Sequence, residues 1–137
     1  MAAFRGRIVR PLSIDEFTEL ADKLAEQVPP RLVEGLNGGI IVSEGARRRP
    51  DDPPGVYILG EYITDPYLGR MIVLYYGSFR RLFGAAGRAE LEEELWTTIK
   101  HELRHHIEGL AGADELERED AAELARLWKE WRGDDGR

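Results

Sequence analysis

The sequence has no cysteine, which excludes disulfides, thiolate metal ligands and a thiol nucleophile. Any transition metal must then be held by histidine and carboxylate. Methionine is nearly as scarce, with only Met1 and Met71. No apolar run approaches the roughly 20 residues of a membrane span. The opening MAAFRGRIVRPLSIDEF also lacks the uninterrupted apolar stretch of a secretory signal. A cytoplasmic location, with no membrane partner, is therefore expected. Positive charge is in deficit: 19 Lys and Arg stand against 26 Asp and Glu, a net charge of -7. That balance argues against nucleic acid or an anionic surface as the main partner. Within 137 residues, 42% hydrophobic and 33% charged, there is room for one domain with an ordinary core and not for two.

Histidine is the remaining scarcity, and it is informative. The chain has three, all between positions 101 and 106, inside LWTTIKHELRHHIEG. His101-Glu102-Leu103-Arg104-His105 is an H-E-x-x-H word. Residues four apart lie on one face of a helix about one turn apart, so His101 and His105 can offer two imidazoles to one Zn²⁺. Glu102, one step round, is placed to act as general base toward a metal-bound water. At about 100° per residue, Leu95, Trp96, Ile99, Leu103, Ile107 and Leu110 gather on the side opposite His101. The helix is thus predicted to back onto a core and turn its histidines into a groove. The word fixes only three positions, so it also arises by chance on solvated helix faces.

In chain order, residues 4–9 (FRGRIV) read as a short strand or extended arm. Ser13 and Glu16 form a capping box opening a helix with Ile14, Phe17, Leu20, Ala21 and Leu24 at helical spacing, stopped by Pro29-Pro30. Pro30 to Leu36 adds a helical turn before Asn37-Gly38-Gly39, and Ile40-Ile41-Val42 is a short strand. Glu44 to Pro54, EGARRRPDDPP, reads as a solvated loop, its three arginines followed at once by Asp51 and Asp52. GVYILGEYI (55–63) and RMIVLYYGSF (70–79) are predicted strands joined as a hairpin. Residues 81–88 read as a loop or short helical turn, a long helix begins near Ala89, and a last helix runs from about Glu115 to Trp131 before a frayed tail at 132–137. Hairpin strands with segregated helices make the fold class α+β, a single domain over 1–137 with a small, mostly antiparallel sheet.

A protein zinc site needs a third protein ligand and an open position for water. The metzincin spacing would place Gly and then His or Asp where Glu108 and Ala111 stand, and no methionine follows the motif, so that pattern fails. The alternative is a carboxylate from the helix that folds back. Asp120 is the choice, because Leu116, Leu124, Leu127 and Trp131 lie within about 40° of it on a wheel, and a carboxylate in an apolar stripe calls for a cation. Glu108 shares the histidine face but lies roughly 10 Å along the axis from His101, which suits it better to holding a ligand histidine. Asp114, Glu117 and Glu119 remain open, with Glu119 facing solvent on the wheel.

LYYGSF (74–79), KHELRHHIEGLAGADEL (100–116) and EREDAAEL (117–124) together resemble the minimal zincins, small bacterial zincin-like metallopeptidase proteins. The resemblance implies a zincin-type α+β domain whose H-E-x-x-H helix backs onto a small sheet. It makes His101 and His105 the metal ligands and Glu102 the base, and implies an edge strand, placed here at Met71 to Tyr76, that binds an extended peptide by β-augmentation. The relatives' H-E-x-x-H-x-x-G-x-x-D form is broken here at Glu108 and Ala111. The expected function is zinc-dependent hydrolysis of a peptide or protein, with Tyr75, Tyr76 or a protonated His106 as candidates for oxyanion help. His106 also lies toward the apolar side, where it would pack or bond instead. The rival expectation is a degenerate, non-catalytic zincin-fold module for binding or assembly.

Overall fold

A computed structural model describes residues 10–112 and 117–134. The described elements are helix α1 (Ile14–Glu26), a 3₁₀ turn (Pro30–Val33), strands β1 (Gly39–Ser43), β2 (Gly60–Asp65) and β3 (Gly69–Tyr75), then helices α2 (Tyr76–Phe83), α3 (Arg88–Gly112) and α4 (Arg118–Asp134). The architecture is α+β, as the order of elements predicted. Residues 4–9 lie outside the described residues.

Helix α1 opens on the expected capping box: Ser13 Oγ accepts the Glu16 N–H at 3.1 Å, and Glu16 Oε1 accepts the Ser13 N–H at 2.9 Å. Phe17, Leu20, Ala21 and Leu24 form its buried stripe. The sheet order is β1-β3-β2, with β3 parallel to β1 and antiparallel to β2. It is therefore mixed, because the hairpin β2–β3 returns the chain between its own first strand and β1. The expected edge strand, Met71 to Tyr76, is instead central, so its backbone groups are paired on both sides and are closed to an incoming peptide. Among the described residues the outer strands of the sheet are β1 and β2.

Two predicted strands have different limits. The run 55–63 becomes a strand only at Gly60. The run 70–79 divides at Tyr75, and Tyr76 starts α2. The reason is visible in the spacing: Tyr76, Phe79 and Phe83 recur at helical intervals, and Tyr76 and Phe79 pack on Phe17 with ring centroids 5.3 and 5.1 Å apart. The Gly77 N–H donates to Gly45 O at 3.1 Å, so closely that a side chain at 77 would meet the Gly45–Ala46 backbone.

Ile72 and Leu74 of β3 join the main core with Leu95, Ile99, Leu103, Ile107 and Leu110 of α3, as the wheel predicted for the helix. Leu124 of α4 is fully buried in the same core. Met71, Val73 and Tyr75 point to the opposite face, where Ile58 packs on them. Residue 58 is held there by an isolated bridge to Arg47, its N–H donating to Arg47 O at 2.8 Å. The segment before β2 is thus folded onto the sheet and is not a free loop.

Candidate active site

Strand β2 is the element against which the motif helix lies. Gly60 makes the approach possible, since a Cβ there would sit 2.8 Å from Thr98 Cγ2 on α3. The hairpin register then decides which backbone groups remain open. Tyr75 N–H donates to Leu59 O at 2.9 Å, and Glu61 is paired with Val73. By alternation, Gly60, Tyr62 and Thr64 aim their N–H and C=O groups away from β3, toward the outer edge.

Glu102 caps that edge. It is 7% exposed, and its carboxylate accepts the Tyr62 backbone N–H. Burial pushes its carboxyl up to about 7; the Tyr62 N–H opposes this, and the nearby Glu61 charge adds to it. The side chain of the same tyrosine grips the next turn. Tyr62 Oη lies 2.9 Å from His106 Nδ1, and His106 Nε2 lies 2.7 Å from Glu34 O. Since Glu34 O only accepts, Nε2 carries the proton and Nδ1 accepts from the tyrosine hydroxyl. His106 is fully buried, and burial lowers its pKa. It ties α3 to β2 and to the segment after the 3₁₀ turn, with both nitrogens engaged. It therefore has no N–H for an oxyanion.

His101 and His105 lie on the exposed side of the same helix, as predicted. Their rings are 5.0 Å apart between centroids and nearly perpendicular. With Glu102, Gly60, Glu61, Tyr62 and Arg49 they line one open groove. Glu108 takes an ion pair with Arg104 at 3.2 Å, and its other oxygen is 4.0 Å from His105 Nδ1. That placement matches a carboxylate that orients a histidine better than one that shares its metal.

Asp120 is not in the apolar stripe. It is exposed in the first turn of α4, and the face turned inward is carried by Leu124 with Leu127, Trp128 and Trp131. A carboxylate in a first turn is stabilised by the helix dipole and free N–H groups, so its sequence position needs no buried cation. Glu117 and Glu119 are exposed as well, while Asp114 lies outside the described residues. Among the described residues, no group of three His, Asp or Glu side chains is close enough to hold a metal.

The two tyrosines proposed for the oxyanion separate. Tyr76 Oη donates to Leu12 O at 2.5 Å, away from the groove. Tyr75 Oη donates to Glu61 Oε1 at 2.6 Å, and burial with that carboxylate raises the phenol to about 12. Residues that sequence reasoning missed are Tyr62, Glu61, Arg47 and Arg49. Only the pairing register and the loop fold bring Tyr62, Glu61 and Arg49 to the groove and Arg47 to Glu61, and no local spacing signals either.

The family model for zincin-like metallopeptidases matches residues 49–124, from the groove loop to the buried Leu124 of α4. A solved structure of a conserved hypothetical protein from Thermo thermophilus is similar, at 40% sequence identity and a TM-score of 0.65, over 74% of this chain and 100% of that one. No curated protein matches the chain. The chain belongs to the zincin-like metallopeptidase family. Among the described residues no helix is long and apolar enough to cross a membrane.

Proposed function

We propose that the chain is a zinc-dependent peptidase in which Glu102 is the general base and His101 and His105 hold the metal. The observation that carries this reading is geometric: a buried carboxyl, held by the Tyr62 N–H, lies on the same groove as two imidazoles and next to an edge strand. A carboxyl whose burial favours its protonated form can both take and release a proton. The two imidazoles fit zinc in kind, and family membership supports the choice of metal. When bound, zinc supplies the Lewis acidity that makes water a nucleophile near neutral pH.

The chain's own residues do the rest. Tyr62 N–H fixes the Glu102 carboxylate, which takes a proton from the water attacking the peptide carbonyl carbon. As the C–N bond breaks, Glu102 delivers that proton to the leaving nitrogen. An extended substrate pairs with the outward backbone groups of β2 that Glu102 leaves open, those other than the Tyr62 N–H, the role the resemblance implied for β3, which lies in the centre. A cytoplasmic setting belongs to the same reading, since no feature of the sequence calls for an oxidising compartment.

The test pairs zinc content with hydrolysis. Wild-type protein supplied with zinc is expected to hold one ion per chain and cleave unstructured peptides; Glu102→Gln keeps the zinc and loses cleavage. Full activity in that variant would remove Glu102 from its role. For the third ligand, Asp120→Ala is expected to lower zinc affinity by much more than Glu119→Ala, and equal effects would move that ligand elsewhere.

A specific observation favours a second reading, that of a zincin fold kept as a binding module. No third donor meets the histidine pair among the described residues. Failure to bind zinc at neutral pH with the metal in excess would establish it over the peptidase.

A further inference from the structure

The three arginines at 47–49 have different surroundings. Arg47 is committed to the sheet: its Nε is 3.1 Å from Glu61 Oε1, and its backbone N–H donates to the buried Ser78 Oγ at 2.9 Å. Arg48 closes its own loop, donating to Asp52 O and Pro53 O at 2.9 Å each and to Val56 O at 3.2 Å. Arg49, next in the same loop, lines the same groove as His101, Glu102 and His105. Its guanidinium is exposed and has no partner among the described residues. The one other groove-lining carboxylate that could satisfy it, Glu61, already binds Arg47 and Tyr75.

We propose that Arg49 anchors a carboxylate of the substrate, so that the groove selects peptides carrying a free C-terminus or an acidic side chain close to the bond at the histidine pair. The physical grounds are the fork of N–H donors, which matches a carboxylate in two parallel hydrogen bonds, and the anchors at Arg47 and Arg48 that fix the loop from which Arg49 projects. Among the described residues, the pairing of Glu61 with Arg47 leaves Arg49 as the unmatched cation lining the groove. The inference rests on the peptidase reading of the same site and names its substrate class.

The test uses the zinc-supplied full chain and three peptides of one sequence core: neutral with a free C-terminus, amidated with one aspartate, and amidated and neutral. Cleavage is followed by kcat/KM. Binding of labelled versions to the Glu102→Gln chain is followed by fluorescence anisotropy. At least one carboxylate peptide is expected to exceed the neutral one by about tenfold, mainly through KM. The ratio should collapse toward one in Arg49→Ala and be intermediate in Arg49→Lys, with thermal melting confirming that both fold. Preference for the free C-terminus alone identifies a carboxypeptidase-like mode, and preference for aspartate alone identifies acidic side chains. Cleavage with equal ratios in wild type overturns the Arg49 inference and leaves the peptidase reading standing. Carboxylate-selective binding without cleavage does the reverse. Neither binding nor cleavage overturns both.

Discussion

Replacing Glu102 by glutamine separates charge from shape. The amide oxygen still accepts the Tyr62 N–H, but the ionisation is gone. In the metal-free wild type, burial raises the carboxyl to about 7 from an ordinary 4.5. The folded value lies above the unfolded one, so the folded state holds the proton more tightly. The associated stability is complete below about 4.5, is lost as pH rises toward 7, and stays lost above. At 1.36 kcal/mol per pH unit, that gap sets a ceiling of about 3 kcal/mol. The groove is open to water on one side, which reduces the effect to roughly 1 to 2 kcal/mol. Glutamine carries no such penalty. The stability of Glu102→Gln relative to wild type is therefore expected to rise by roughly 1 to 2 kcal/mol between pH 5 and pH 8. Urea unfolding of both chains in chelator, with linear extrapolation at each pH, measures it. A difference that stays constant with pH, or falls, refutes the assignment of a buried, proton-holding carboxyl at this position.

Tyr62→Phe removes the donor to His106 Nδ1 and leaves a buried nitrogen without a partner; a loss of roughly 1 to 3 kcal/mol is expected in urea unfolding at pH 8. A loss below about 0.5 kcal/mol would show that the clamp adds little to the fold. Gly60→Ala places a Cβ against Thr98 Cγ2 and should cost about 1 to 3 kcal/mol, and Thr98→Ser in the same chain should recover part of it. Additive effects in that double-mutant cycle would contradict the close strand-helix contact. His101→Ala and His105→Ala should each abolish tight zinc binding in calorimetric titration, and retention in either would move the metal elsewhere.

Much of the architecture was legible because it rests on local repetition. The Ser13–Glu16 capping box and the apolar stripe of the motif helix follow from spacing within a few turns, and the structure carries both. The facing of His101 and His105 away from Leu103 and Ile107 is the same kind of information. Asp120 marks where such reasoning overreaches: a wheel reports angle but not height. The residue is exposed in the first turn of α4, where angle no longer implies burial. RMIVLYYGSF read as one strand because β-branched and aromatic propensity outweighed the Tyr76, Phe79, Phe83 spacing that packing onto Phe17 made decisive.

The sequence alone determined an H-E-x-x-H helix, amphipathic and cysteine-free, in a small acidic α+β chain, since each of these depends on neighbours within a few residues. Only the tertiary structure decided that β3 lies in the centre, that β2 presents its edge to Glu102, that Tyr62 holds both Glu102 and His106, and that Arg49 reaches the groove. Those facts depend on strand register and loop closure between residues tens of positions apart, and a change of one residue in pairing would turn every β2 side chain and backbone group to the other side.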